Sequence, residues 1–311
     1  MNDDQGLMPH PVVAITGSDR PGVRAAVAQG GGVPGPVEQA DALIHLGGPA
    51  GMPALPDRVR WVQLPGAGIE AYLAGGVIDR RRVWTSAVGA YAGTVAEHAV
   101  ALLLSGVRGL VTATRLDRWQ PDLVVPRVTG IAGTNVAVIG AGGIGRRVIE
   151  LLAPFGAAVT AVNRSGRPVS GTVRTVPADR VAEVWQHTDH IVLGAPATDA
   201  TRGLIDAAVL SSLKPASWIV NVARGSLVET GALIDAVRAG RIAGAALDVT
   251  DPEPLPPDHA LWTTPGILIT PHTANPAHHM DAALDRRVAE NVARFAAGRE
   301  LLGVVDVDAG Y

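Results

Sequence analysis

The chain has no cysteine, a single lysine, and only 4% aromatic residues among 311. Without cysteine there is no disulfide, no thiol nucleophile and no thiolate-bound metal. Lys214 stands against 25 arginines, which leaves almost no scope for lysine or Schiff-base chemistry. A large charge of one sign is also missing. The formal net charge of −3 gives no electrostatic reason to expect nucleic acid or an anionic membrane as partner. The most apolar helical run, Ala99–Leu110, is too short and interrupted to span a bilayer. Met1–Asp4 carries two acids and no basic n-region, so no secretory leader is expected. These absences fit a reducing, cytoplasmic setting.

What is present is a globular composition, 47% apolar and 18% charged, in a chain long enough for two domains. From Pro11 to Val88, short apolar runs alternate with glycine- and proline-rich breaks. Val12–Ile15, Ala42–His45, Trp61–Leu64 and Val83–Ser86 read as strands of a small α/β unit. Thr94–Thr114 reads as one long helix, with Val95, Ala99, Leu102 and Leu103 on one face. After the loop Asp117–Gly133 a second series of strands begins. These are Asn135–Ile139, Ala158–Val162, Val173–Val176, His190–Leu193, Ser217–Asn221, Ala243–Asp248 and Ile267–Thr270. Helix-compatible segments lie between most of them, which predicts a parallel, doubly wound sheet. Asn275-Pro276 reads as a helix start, with Asn as N-cap and Pro at the first position, for a helix to about Ala297. The expected organisation is a nucleotide domain, residues 94–276, inserted in a smaller domain made of 1–93 and 277–311.

The most specific segment is the run Thr134–Ile139 leading into Gly140-Ala141-Gly142-Gly143-Ile144-Gly145. This is G-x-G-x-x-G between a strand and a helical stretch, Val148–Phe155, the context that makes it a dinucleotide fingerprint. Gly140 permits the tight turn, Gly142 keeps a side chain off a pyrophosphate, and Gly145 lets the helix approach the sheet. The first N–H groups of the helix then face the phosphates.

Ligands of open α/β sheets sit past the carboxyl ends of the strands. Polar residues there include Asn163-Arg164-Ser165, Asn221 to Arg224, Asp248, Glu253 and His272. The planar fork of Arg224 suits a carboxylate. His272, directly after Ile267–Pro271, carries the side chain that changes charge closest to neutrality, and is the best proton donor or acceptor available. Glu253 lies among stiffening prolines, and beside His272 it would fix the ring's tautomer and favour its charged form. Glu97-His98 are adjacent on a helix and point apart, a poor catalytic dyad; His278-His279 fail as a chelating pair for the same reason, and no metal site is expected. Trp84, Trp119 and Tyr91 read as packing residues in the first instance.

Taken in order, these segments resemble the D-isomer-specific 2-hydroxyacid dehydrogenase family. The matching segments are Gly140–Gly145, Ala195-Pro196 with Thr201–Ile205, Asn221–Gly225, Ala246–Val249 through Glu253-Pro254, and Thr270–His272, with Gly66–Gly68 and Val95–Leu104 upstream. The resemblance implies a Rossmann-type domain inserted in a flavodoxin-like α/β substrate domain, and a homodimer. It makes Arg224 the residue that binds a 2-keto-acid carboxylate, His272 the acid/base on the carbonyl oxygen, and Glu253 its orienting partner. Backbone N–H groups of Ala67 and Gly68 would also hold the carboxylate. Asp248 would accept from a nicotinamide carboxamide, while Pro196, Thr201, Val222, Ala223 and Ala274 line the cofactor site. The chain departs from the family where an acidic residue often ends the second nucleotide-domain strand. Here that position is Asn163, followed by Arg164, Ser165 and Arg167, so NADP(H) is favoured with NAD(H) possible. Thr273–Pro276 also departs from a glycine-richer turn. The expected activity is reduction of small 2-keto acids of the glyoxylate or hydroxypyruvate type. Bulkier aryl or branched acids are the alternative within the class, and a dinucleotide-sensing corepressor-like protein the alternative outside it.

Overall fold

A computed structural model describes residues 10–310, apart from the side chains of Ala277 and His278. Met1–Asp4 and the pairing of His278 with His279 therefore lie outside the described residues. The chain divides into two compact units, one running to Tyr91 and resuming at Pro276, the other spanning Ala92–Asn275.

The first unit contains β1 (Val12–Thr16), α1 (Pro21–Gln29), β2 (Val33–Pro34), β3 (Ala42–His45), β4 (Trp61–Gln63), α2 (Glu70–Ala74) and β5 (Val83–Thr85). Every pairing is parallel, in the order β2-β1-β3-β4-β5, the flavodoxin-type arrangement. Leu43, Ile44, Trp61 and Val62 are wholly buried, as the continuous apolar runs of a covered parallel sheet require. Burying each such side chain is worth roughly 1.5–3 kcal/mol. The edge strand β2 is two residues long, too short to carry a readable period.

The second unit opens with α3 (Ala92–Val107), whose buried face includes Val95, Ala99, Leu102 and Leu103. The single helix expected over Thr94–Thr114 is broken. Gly109 adopts φ 70°, and a separate α4 (Leu110–Ala113) follows. Apolar periodicity continues across that break because both pieces bury apolar side chains, and the left-handed glycine interrupts the backbone without disturbing the pattern. Next come α5 (Pro121–Val124), β6 (Asn135–Ile139), α6 (Gly143–Leu152), β7 (Ala158–Asn163), β8 (Arg174–Pro177) and β9 (His190–Leu193). The remainder is α7 (Ala207–Ser212), β10 (Trp218–Asn221), α8 (Thr230–Arg238), β11 (Gly244–Leu247), α9 (Ala260–Thr263) and β12 (Ile267–Ile269).

All seven strands pair in parallel, in the order β12-β11-β10-β9-β6-β7-β8. The winding direction reverses between β6 and β9, the point at which such sheets bind ligands. Ile139 lies opposite Val162 and Leu193, Asn221 opposite Leu193 and Leu247, and Leu247 opposite Ile269. Residues 140, 163, 194, 222, 248 and 270 therefore follow one rim.

The long α10 (Ala277–Ala296) returns to the first unit and packs on α1. Its buried Asn291 donates Nδ2 to Gln63 Oε1 at 3.0 Å, and its Oδ1 accepts from Leu302 N at 2.8 Å. The expected Asn275 cap does not form. Pro276 itself occupies the N-cap position, with φ −67° and ψ 151° and no side-chain cap. Asn275 Oδ1 instead accepts from Thr94 Oγ1 at 3.1 Å, a tertiary bond that replaces the local one.

Candidate active site

The cradle begins where β6 ends. Gly140 takes φ 94°, and the N–H groups of Gly140 and Ala141 both donate to Val162 O at 2.9 Å. A Cβ on Gly140 would lie 2.4 Å from Ala195 N, and one on Gly145 would lie 2.4 Å from Gly140 O. Only glycine allows the β6 and β9 loops and the first turn of α6 to close this tightly. At Gly142 the situation is opposite: a Cβ would meet nothing within 4 Å. The backbone is thus bare on the side where the first N–H groups of α6 lack intrahelical partners. At the end of β7, Asn163 Nδ2 donates to Arg167 O at 2.8 Å and closes its loop. Its Oδ1 is buried with no hydrogen-bond partner among the described residues. A buried orphan acceptor calls for a donor. The bare phosphate-type cradle and this acceptor together fit a dinucleotide with ribose hydroxyls. Arg164, Ser165 and Arg167 are exposed.

The turn after β9 is closed by Thr201, whose Oγ1 donates to Pro196 O at 2.6 Å and accepts from Thr198 N at 2.8 Å. After β10, Val222 and Ala223 are buried and Arg224 is half-buried with an extended backbone. Asn221 brackets this loop, donating Nδ2 to Arg224 O at 2.8 Å and accepting from Ala223 N at 3.0 Å. Sequence reasoning placed Asn221 on the rim without seeing this job. Arg224 Nη1 donates to Ala223 O at 2.7 Å, which orients the guanidinium.

After β12, His272 Nδ1 lies 2.6 Å from Glu253 Oε1, with the two side chains 54% and 40% exposed. A carboxylate only accepts, so Nδ1 carries a hydrogen and Nε2 is left to exchange a proton. His272 has φ 53°, and among the described residues it is the one non-glycine with positive φ. Its N–H donates to Asp248 O at 2.8 Å and Thr270 O at 2.9 Å.

Asp248, 2% exposed, is the polar centre of this corner. Its Oδ1 accepts from Thr270 Oγ1 at 2.6 Å and Thr273 N at 2.9 Å, and its Oδ2 from Ala274 N at 3.1 Å. His98 Nε2 stands 3.3 Å from Oδ1. Burial alone would raise the Asp248 pKa. Donors from His98, Thr270, Thr273 and Ala274 outweigh that and lower it from 3.8 to about 2. A carboxyl with a depressed folded-state pKa contributes stability that is present above the unfolded value and lost as pH falls through the folded one. The expected contribution is about 2 kcal/mol near neutrality, lost between about pH 4 and pH 2. In an acid melting series, Asp248→Asn should therefore lower Tm at neutral pH and flatten its fall below pH 4. A parallel fall in both proteins would contradict this.

Ala67 and Gly68 are in the first unit, on the segment between β4 and α2. Trp84 and Tyr91 are core residues at 2% and 7% exposure, whereas Trp119 is 94% exposed and packs into no core of this chain. Among the described residues no cluster of acids and histidines could hold a metal. No described helix is long and apolar enough to cross a membrane.

A glycine cradle at the switch point, with a paired histidine and glutamate and an arginine on the loops of its rim, is the layout of a dinucleotide-binding α/β domain. Residues 100–274 match the family model for the D-isomer specific 2-hydroxyacid dehydrogenase NAD binding domain. An uncharacterised protein of Corynebacterium melassecola is 42% identical over 92% of this chain and 95% of its own. Glyoxylate/hydroxypyruvate reductase A of Photorhabdus laumondii is 34% identical, covering 69% of this chain and 68% of the relative. Among solved structures, a D-isomer specific 2-hydroxyacid dehydrogenase from Xanthobacter autotrophicus, in complex with NADPH and MES, superposes with a TM-score of 0.78 at 26% identity, covering 97% of this chain and 99% of that one. The chain belongs to the D-isomer specific 2-hydroxyacid dehydrogenase family, and it is an NAD(P)-dependent enzyme of that class.

Proposed function

We propose that the protein reduces small 2-keto acids of the glyoxylate or hydroxypyruvate type to (R)-2-hydroxy acids, with NADPH preferred. The observation that carries this reading is the 2.6 Å contact of His272 Nδ1 with Glu253 Oε1 on the same rim as Arg224. The named activity of the Photorhabdus relative supports the substrate class.

In this reading Arg224 grips the substrate carboxylate through two parallel hydrogen bonds and polarises the adjacent carbonyl. Ala67 and Gly68 add backbone donors to the same carboxylate, a role that rests on the family resemblance. His272 Nε2 gives a proton to the carbonyl oxygen, while Glu253 holds the ring and balances its charge. The nicotinamide, when bound, supplies the hydride. N–H groups of Gly142, Gly143, Ile144 and Gly145, with Gly140 turning the chain, hold the pyrophosphate. Pro196, Thr201, Val222, Ala223 and Ala274 shape the walls. Asp248 accepts from the carboxamide through Oδ2, the oxygen that carries a single donor here. A homodimer belongs to the same proposal and follows from the resemblance, and a cytoplasmic setting follows from the cysteine-free composition; light scattering tests the stoichiometry.

The test is loss of reduced-nicotinamide absorbance across a panel of 2-keto acids with both cofactors. Fastest turnover with glyoxylate or hydroxypyruvate supports the reading. Faster turnover of aryl or branched acids transfers it to that substrate class, and binding without any turnover refutes it.

Cofactor choice gives a separate prediction. An aspartate at 163 would accept both ribose hydroxyls and repel a 2′-phosphate; Asn163 carries no such charge, and Arg164, Ser165 and Arg167 offer donors. NADPH should exceed NADH in kcat/KM by about tenfold or more, about 1.4 kcal/mol. Asn163→Asp with Arg164→Ile should reverse the preference, and should also loosen the loop, because the Nδ2 bond to Arg167 O goes with the amide. A wild-type preference for NADH of that size would overturn this assignment.

A further inference from the structure

His98 projects from α3 into the corner that holds His272. Its Nε2 is 2.9 Å from Thr270 Oγ1 and 3.3 Å from Asp248 Oδ1. Thr270 spends its one hydroxyl hydrogen on Asp248 Oδ1 at 2.6 Å, so its oxygen accepts from His98, and the His98 ring carries its hydrogen on Nε2. The carboxylate so fixed receives two successive backbone donors, Thr273 N and Ala274 N. The main-chain oxygen of Asp248 takes the N–H of His272 itself. One acidic residue therefore pins three consecutive amides, 272 to 274, and His98 with Thr270 pins the acid.

That pinning has a target. His272 sits in the left-handed region, where a side chain crowds its own carbonyl, and such a conformation persists only where the surroundings over-determine it. A return to negative φ would re-aim the imidazole, and acid/base chemistry is sensitive to displacements of about an ångström.

We propose that His98 is a positioning residue, acting through Thr270 and the Asp248 carboxylate to hold His272 in its left-handed turn and aim its ring at the substrate. This rests on the acid/base role of His272 proposed above. In this role His98 works with Thr270 and Asp248, and its helix neighbour Glu97 takes no part.

His98→Ala and His98→Gln separate aim from packing, because the glutamine amide can restore the lost donor. His98→Ala should lower kcat for keto-acid reduction about tenfold or more. His98→Gln should recover most of the loss. Placed on His272→Gln, His98→Ala should cost little more, since the group it aims is already gone. In hydrogen exchange of the apo proteins, Thr273 and Ala274 amides should exchange faster in His98→Ala and at the wild-type rate in His98→Gln.

A folded His98→Ala protein with unchanged kcat and unchanged exchange at those two amides overturns the proposal. Equal damage from Ala and Gln, with exchange raised throughout the unit, overturns it in favour of packing. If the wild type turns over no keto acid, the functional reading fails, and exchange at Thr273 and Ala274 alone decides whether His98 holds the turn.

Discussion

His272→Gln is expected to lower kcat for keto-acid reduction by roughly 10²–10⁴, the usual worth of a positioned proton donor. Glutamine keeps the backbone N–H that Asp248 O and Thr270 O accept, and its amide still reaches a neighbouring carboxylate. What it lacks is a ring nitrogen that can give and take back a proton. Cofactor affinity should barely move, because the cradle at Gly140–Gly145 and the acceptor at Asn163 belong to other loops of the rim. Glu253→Gln should cost less than the histidine change, since it removes the charge beside Nδ1 and leaves the ring in place. Near-wild-type turnover in folded His272→Gln would remove the residue from this role.

Arg224→Lys should be costly although the charge is kept. A lysine ammonium is a point donor and cannot reproduce the two parallel bonds that a guanidinium makes with a carboxylate. It also cannot place one donor on Ala223 O and present a fork at the same time, as Arg224 is built to do. The expected loss is roughly a hundredfold in kcat/KM, about 2.7 kcal/mol, with KM raised as well as kcat lowered, since the contact exists in ground and transition states alike. Keto-acid amides should be poor substrates of the wild type and little worsened by the change. Equal sensitivity of acids and amides would count against the carboxylate clamp.

The rim was the most legible part of the chain because a parallel sheet brings every strand's carboxyl end to one side. A polar residue just past an apolar run is therefore a site candidate before any contact is known. Gly140, Arg224 and His272 each follow such a run, and the strands before them end on one line of register, at Ile139, Asn221 and Ile269. Three features were hidden. The break at Gly109 left apolar periodicity intact on both sides, so the pattern of buried side chains ran past the change in backbone. Asn275 has the right local chemistry for a cap, and a partner distant in sequence, Thr94, takes its oxygen instead. The contact of His98 with Thr270 joins positions 172 apart, and nothing local at either end announces it. What the sequence carried best were demands met within a few residues; demands met across the fold needed the fold.

The tie between Asn291 and Gln63 bears on the order in which the protein is made. Synthesis runs from the N-terminus, so the 92–275 unit has all its strands before α10 exists. The first unit has its five-stranded sheet by residue 85, yet α1 still lacks α10, which packs on it, and Gln63 still lacks Asn291. Its earliest residues emerge first and are completed last. Until α10 has left the ribosome, α1 is without the helix that packs on it and Gln63 without its distant amide, so this unit closes by a contact between its two separated stretches of chain.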